Sequence, residues 1–301
     1  MNRKLIYFIN PVAGTKGKEQ LIKLIKEKTE HYLIPYEILY TNPEGDYFFL
    51  KEKIEMENIT DIIVCGGDGS ISQVASVLID EPVNVGVIPM GSGNGLALAA
   101  KIPKNTSKAL DLIFTGKASY IDSFFINATF SCMLCGLGFD AQVAHDFAKQ
   151  PHRGLGTYIK QTLANFFTAK LYSFDIVNKG KSFNASAYFI SIANSNQFGN
   201  QFTIAPRASL SDGLLDIVIV KKMNKLKLMW KLFKQVRNGN FAEYDENKFH
   251  CTDILYFQTP RLIIHNLNKA PLHIDGDPAQ TAGKFAIQII PKAFKLIQPI
   301  S

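Results

Sequence analysis

Three polar turns carry residue types that handle phosphate. Gly66-Gly67-Asp68-Gly69-Ser70 follows the apolar run Ile62-Ile63-Val64-Cys65 and precedes a helical pattern from Ile71. Glycines allow the backbone to take φ > 0 and to approach a ligand with no Cβ in the way. The N–H groups and dipole of a helix start then favour phosphate oxygens. A carboxylate in such a turn repels phosphate, so Asp68 makes sense where a divalent cation or a phosphoryl-accepting hydroxyl lies between them. The plainer alternative is a glycine-rich βα turn with a capping Asp. On the first reading Gly66, Gly67 and Gly69 set the turn, and Asp68 is not needed for packing. Pro89-Met90-Gly91-Ser92-Gly93-Asn94-Gly95 repeats the arrangement after a second apolar run. Asn10-Pro11-Val12-Ala13-Gly14 adds a third turn, with Lys16 or Lys18 placed to meet phosphate charge. No G-x-x-x-x-G-K-[ST] string occurs, which excludes a P-loop enzyme.

Other candidates are weaker. Cys132-Met133-Leu134-Cys135 has C-x-x-C spacing but lies in an apolar run with no partner pair, and reads as core. The six histidines show no metal-ligand spacing, so zinc chemistry is not expected. Residues 224–237 carry Lys225, Lys227, Lys231, Lys234 and Arg237 among Leu226, Leu228, Met229, Trp230, Leu232 and Phe233. Such a basic amphipathic helix can lie on an anionic bilayer. It can also pack its apolar face on a sheet, with the lysines in water.

The elements that must position the turns are legible as alternation. Leu5–Ile9, Tyr36–Tyr40, 61–65 and 84–88 read as strands, whereas 18–33, 46–57, 71–79 and 96–100 carry helical spacing. Strand and helix in alternation give a parallel sheet with helices on its faces. Ligands of such sheets sit at the carboxyl ends of the strands, where all three turns fall. From about residue 121 the texture changes. Longer β-branched and aromatic stretches at 124–137, 186–193, 214–220, 253–257, 262–265 and 285–290 are interrupted by helical segments at 141–167 and 224–238. Strands that follow one another without helices indicate an antiparallel sheet or sandwich. The expected fold class is α/β plus β. A doubly wound, Rossmann-like parallel-sheet nucleotide domain covers residues 1–122, and an antiparallel β-sandwich domain covers 123–290. Residues 291–301 are left able to return to the first.

Composition narrows the function classes. A chain of 301 residues with 47% hydrophobic residues suits about two globular domains and excludes disordered or fibrous readings. The net charge of +7 suits an anionic partner: nucleotide phosphate, nucleic acid or an acidic membrane surface. No recognised nucleic-acid module accompanies it, so nucleic acid is not an expected partner. Four cysteines are too few and too dispersed for a secreted disulfide scaffold. No apolar run approaches the roughly 18 residues of a membrane span, and the N-terminal run is shorter than a signal-peptide core. The expected location is therefore cytoplasmic, at most peripheral to a membrane.

Taken together, Asn10-Pro11, Gly66-Gly67-Asp68-Gly69-Ser70 and Gly91-Ser92-Gly93-Asn94 resemble the diacylglycerol-kinase catalytic family, which includes sphingosine, ceramide and bacterial soluble lipid kinases. The likeness runs on in the family's order through Gly136-Leu137-Gly138-Phe139-Asp140, then Asn194-Ser195-Asn196-Gln197-Phe198-Gly199-Asn200, Ala205-Pro206, Ser211-Asp212-Gly213-Leu214-Leu215-Asp216 and His273-Ile274-Asp275-Gly276-Asp277. Ser70 and Ser92 stand where the bacterial diacylglycerol kinases commonly have Thr, Gly95 where they have Asp, and Asp277 where they have Glu. The resemblance implies ATP and Mg²⁺, with Asn10, Gly14, Thr41, Gly66 to Ser70 and Gly91 to Asn94 around the nucleotide. Asp68 would work with Mg²⁺ and the γ-phosphate. Asp277 falls at the family's general-base position, with Asp275 as the alternative. Ser209, Asp212 and Leu214 resemble a separate structural Mg²⁺ site, although Asp-Gly is also a common turn signal. A lipid hydroxyl at a membrane surface is the implied acceptor, met in a cleft between the two domains. A kinase for NAD or another small molecule, or a non-catalytic binding protein, is the alternative. Homodimerisation is left open.

Overall fold

The computed structural model describes residues 3–14, 17–149, 169–197, 205–222 and 253–300. Lys16, residues 198–200, the end of the 141–167 helical segment and the basic helix at 224–237 lie outside the described residues. The chain divides into two compact units, Met1–Asp122 with Pro291–Ser301, and Ser123–Ile290.

The first unit alternates β1 (Leu5–Ile9), α1 (Lys18–His31), β2 (Tyr36–Tyr40), α2 (Phe49–Glu57), β3 (Asp61–Gly66), α3 (Asp68–Ser76), β4 (Asn84–Pro89), α4 (Gly95–Ala99) and α5 (Thr106–Thr115). Its strands pair in parallel in the order β2-β1-β3-β4. Every residue of β1 and β3 is buried, which is why both read as unbroken apolar runs rather than as alternation. α1 buries Leu21, Ile25 and Thr29, one residue per turn along a stripe, and the Thr29 hydroxyl bonds Tyr7 Oη at 2.8 Å. Each fully buried aliphatic side chain here contributes roughly 1.5–3 kcal/mol. At the amino ends of the strands, Arg3 grips buried Asp61 through Nε at 3.0 Å and Nη2 at 2.8 Å. That two-pronged pair neutralises the carboxylate and sets β1 against β3.

The second unit takes in the end of β5 (Lys117–Ile126), then β6 (Thr129–Ser131), β7 (Leu134–Gly138), α6 (Phe139–Ala148), β8 (Tyr172–Asn178), β9 (Lys181–Ala193), β10 (Leu215–Lys221), β11 (Ile254–Thr259), β12 (Arg261–Asn266), β13 (Leu272–Ile274), β14 (Asp277–Ala279) and the start of β15 (Lys284–Gln298). The order is β14-β13-β7-β9-β8-β12-β15, with β10 on β9 and β11 on β10. These pairs are antiparallel. Phe124, Phe174, Ile190, Ile217, Phe257 and Phe285 meet in its core. The apolar stretch at 124–137 is three strands, not one. Asn127 takes φ 51°, turning β5 into β6, and Cys132-Met133 separates β6 from β7. Both cysteines of that stretch are wholly buried, as core residues should be.

The end of β15 belongs to the first unit, where Lys295 and Leu296 pair in parallel with Asn84 and Val85 beside β4. The architecture is thus an α/β unit with a parallel sheet and an antiparallel β unit, the expected class. Among the described residues no helix is long and apolar enough to cross a membrane.

Candidate functional site

The turns after β1, β3 and β4 stand at one end of the first unit's sheet and are tied to one another by side chains. Asn10 donates from Nδ2 to Ser70 Oγ at 2.8 Å, linking the first turn to the start of α3. Its Oδ1 accepts from the N–H groups of Val12 (2.9 Å) and Ala13 (3.2 Å), which shapes the first turn. Met90 N–H donates to the Gly66 carbonyl at 2.9 Å, and Asn94 closes its own loop by exchanging bonds with the Gly91 backbone at 2.8 and 2.6 Å. Asn94 does so in a left-handed conformation, φ 52°. Gly14, at φ 77°, lies beside the Met90 side chain. Lys18 Nζ donates to the Ala13 carbonyl, and burial lowers its pKa. Ser92 is exposed at the tip of the third turn.

Gly67 and Gly91 are where the second and third turns touch. A Cβ on Gly91 would stand 2.7 Å from the Gly67 Cα, a backbone atom that cannot rotate aside. Gly91→Ala should therefore force the turns apart and lower the unfolding free energy by roughly 1–3 kcal/mol, the usual cost of overpacking. Thermal and urea unfolding would measure it; an unchanged midpoint would show that the two turns part freely.

Asp68 corrects an expectation. It is not dispensable for packing: it is buried, and its carboxylate accepts from the N–H of Gly95 at 2.9 Å and of Leu96 at 3.2 Å. These are the first two residues of α4, whose N-cap residue Asn94 makes no side-chain cap. A helix start leaves its first N–H groups without helical partners. Asp68 supplies them from a different turn, 27 residues away. The N-cap of α3, Gly67, has no side chain with which to cap its own helix.

Thr41 follows β2, and its N–H donates to the Ile9 carbonyl at 3.0 Å. Tyr47 is a residue the motifs did not flag. It is buried, its hydroxyl accepts from Asn42 N–H at 3.1 Å, and burial raises its pKa. Its ring meets Phe8 of β1 edge to face, so it braces the loop that carries Thr41.

In the second unit Asp275-Gly276 is the two-residue turn of the β13–β14 hairpin, with φ 50° and 87° at its centre and Ile274 paired to Asp277. Two successive positive φ values are the mark of a type I′ turn, for which Asp-Gly is a preferred pair. The carboxylates that flank Gly276 differ sharply. Asp275 is buried, and its Oδ1 accepts from Ser131 Oγ (2.7 Å), Met133 N–H (3.2 Å) and Leu134 N–H (3.1 Å). Asp277 is exposed at the start of β14. Beyond another turn, Asp212 Oδ1 accepts from Leu214 N–H at 3.0 Å and Ser209 Oγ from Ser211 N–H at 3.4 Å, with Gly213 at φ 73°. Among the described residues no group of three or more His, Cys, Asp or Glu side chains could hold a metal. A set built from one carboxylate and backbone carbonyls is of a different kind.

Comparison with known proteins assigns both halves. The diacylglycerol kinase catalytic domain matches residues 4–126. The YegS C-terminal NAD kinase beta sandwich-like domain matches residues 134–298. The chain is 29% identical over 258 residues to "Probable lipid kinase YegS-like" of Shewanella frigidimarina, covering 83% of this chain and 80% of that one. It is 26% identical over 281 residues to the diacylglycerol kinase of Bacillus subtilis, covering 91% and 89%. The fold matches the crystal structure of a diacylglycerol kinase from Bacillus anthracis with a TM-score of 0.75 at 19% identity, over 99% of this chain and 97% of that one. With both domains matched in sequence order, the chain belongs to the lipid and diacylglycerol kinase family that joins a diacylglycerol kinase catalytic domain to a YegS-type C-terminal sandwich domain.

Proposed function

We propose that the protein is an ATP- and Mg²⁺-dependent kinase that transfers the γ-phosphoryl group to a lipid hydroxyl of diacylglycerol or sphingoid type. The observation that carries this reading is the trio of polar turns at one sheet end, joined by Asn10–Ser70, Asp68–α4 and the Gly67–Gly91 contact. Glycine backbone and the start of α3 behind Gly67 suit the phosphates, and the Thr41 loop braced by Tyr47 suits the rest of the nucleotide.

The chemistry balances with one carboxylate base. The acceptor hydroxyl gives its proton to Asp277 as its oxygen bonds to the γ-phosphorus, and the bond from that phosphorus to the β–γ bridging oxygen breaks to release ADP. Exposed Asp277 is open to an acceptor, whereas buried Asp275 holds the turn by accepting three donors. Mg²⁺, when bound, supplies positive charge that offsets the phosphates. Asp68 would be the carboxylate that holds it there, beside its bonds to the start of α4. Asp212 with the carbonyls of Ser209 and Leu214 offers a hard-oxygen set of the type Mg²⁺ takes elsewhere. Recruitment to an anionic membrane through residues 224–237 belongs to the same reading, and rests on their sequence.

The NAD kinase likeness in the name of the C-terminal domain favours one other acceptor, NAD. Incubating the protein with Mg²⁺, labelled ATP, a lipid panel and NAD separates the two. Label is expected in the organic phase; label in NAD and in no lipid would overturn the lipid assignment.

A further inference from the structure

A buried His–Asp pair lies directly beneath the Asp275–Asp277 turn. His273, in β13, has no exposed surface, and Asp140, the second residue of α6, is nearly as enclosed. His273 Nε2 lies 3.5 Å from Asp140 Oδ2. The other ring nitrogen, Nδ1, accepts from Gly276 N–H at 3.3 Å. An accepting Nδ1 carries no proton, so the ring's proton sits on Nε2 and faces the carboxylate. Asp140 Oδ1 accepts from Ala141 N–H at 2.8 Å, which fixes the carboxylate to the start of α6.

The surroundings are cut to fit this pair. Gly136 of β7 stands opposite His273 in the ladder. A Cβ there would come within 2.5 Å of His273 Nε2 and would collide with Asp140 Oδ2. Only glycine leaves room for both groups. Burial pushes the Asp140 carboxyl up while His273 holds it down. α6 grips β13 a second time through His145 Nε2, 2.8 Å from the Leu272 carbonyl. A buried carboxylate and imidazole cost desolvation and return little stability over an apolar pair of the same size. Their geometry nevertheless ends on one particular atom, the amide of the turn's second central residue.

We infer that Asp140 and His273 are positioning residues that fix the Gly276 amide, and through it the direction in which Asp277 leaves the turn. The inference rests on the reading of Asp277 as the base. Asp275 pins one side of the turn to the 131–134 segment, and His273 pins the other side to α6. A turn held on one side only can pivot, and a base displaced by about 1 Å can lose on the order of a hundredfold in rate.

A double-mutant cycle in kcat tests this, with nucleotide affinity and thermal unfolding read in parallel. His273→Ala should lower kcat roughly ten- to a hundredfold while nucleotide Kd stays within about twofold. His273→Asn should recover much of that loss, because its amide carbonyl can take the place of Nδ1 toward Gly276. His273→Gln, which reaches the Nε2 position instead, should not. Asp140→Asn keeps an oxygen beside Nε2 and should cost less than Asp140→Ala. In an Asp277→Asn background, His273→Ala should cost little more, since no base remains to be aimed. Normal kcat in His273→Ala, or full additivity with Asp277→Asn, would overturn the inference and leave the base assignment standing. Wild-type kcat in Asp277→Asn alone would overturn both. Should His273→Ala not fold, the Asn and Gln variants and the Asp140 pair carry the same comparison.

Discussion

Asp277→Asn should retain nucleotide affinity within a few-fold while losing about 10²–10⁴ in kcat, the usual span of general acid–base assistance. The asymmetry follows from where Asp277 stands. It belongs to the second unit's β13–β14 hairpin, whereas every turn assigned to the nucleotide belongs to the first unit. A base acts on the proton of the acceptor, so removing it should spare ATP binding. Asn is close in size and, in a position this exposed, should leave unfolding unchanged within about 0.5 kcal/mol. Asp277→Glu should keep substantial activity, since it restores the carboxylate at greater reach. Calorimetry with a non-hydrolysable nucleotide beside steady-state kinetics would measure both arms. If Asp275→Asn showed a defect confined to kcat while Asp277→Asn showed none, the base would lie two residues upstream. The three bonds accepted by Asp275 Oδ1 predict instead that Asp275→Ala loses stability, by roughly 1–3 kcal/mol.

Asp68 should show two separable losses. Asp68→Ala removes both acceptors from the start of α4, so it should abolish turnover and also lower the unfolding free energy by about 1–3 kcal/mol. Asp68→Asn keeps one carbonyl oxygen for Gly95 or Leu96 and gives up the charge. It should recover only part of the alanine variant's lost stability, because its NH2 faces the second N–H, yet lose roughly 10²-fold or more in kcat if the charge serves metal and phosphate. Near-normal kcat in Asp68→Asn would make Asp68 a cap alone. Thermal unfolding and kinetics on the two variants would decide it.

The sequence made some features plain and concealed others, for physical reasons. β1 and β3 were legible because strands buried on both faces show unbroken apolar runs. The three polar turns were legible because glycines cluster where backbone must come close. β8 left no clear trace, and of β13 and β14 only the Asp-Gly turn between them is legible, since three residues each are too short for a period of two to register. α5 escaped too, although Asn105 caps it by accepting from Lys108 N–H at 3.1 Å. Contacts between distant residues left no local trace. Nothing near Asp68 announces a helix start 27 residues on, and nothing near Asp275 announces Ser131, 144 residues back. A carboxylate in a motif therefore reads as chemistry whether or not it also holds the fold. His273 and Asp140 lie in separate motifs 133 residues apart, and the packing of β7 and α6 on β13 brings them together.

The proposed function turns on one reaction, transfer of the γ-phosphoryl group of ATP to a lipid hydroxyl with Asp277 as the base. Single-turnover rapid quench tests it most directly. Protein preloaded with Mg²⁺ and γ-labelled ATP is mixed with vesicles containing diacylglycerol, in parallel with a sphingoid acceptor. Lipid-borne label is then counted against ATP lost, in wild type and in Asp277→Asn. The expected result is one labelled lipid per ATP consumed in wild type. Asp277→Asn should bind the same amount of nucleotide and transfer it about 10²–10⁴ times more slowly. Loss of ATP without lipid label, or transfer by Asp277→Asn at the wild-type rate, would contradict the account.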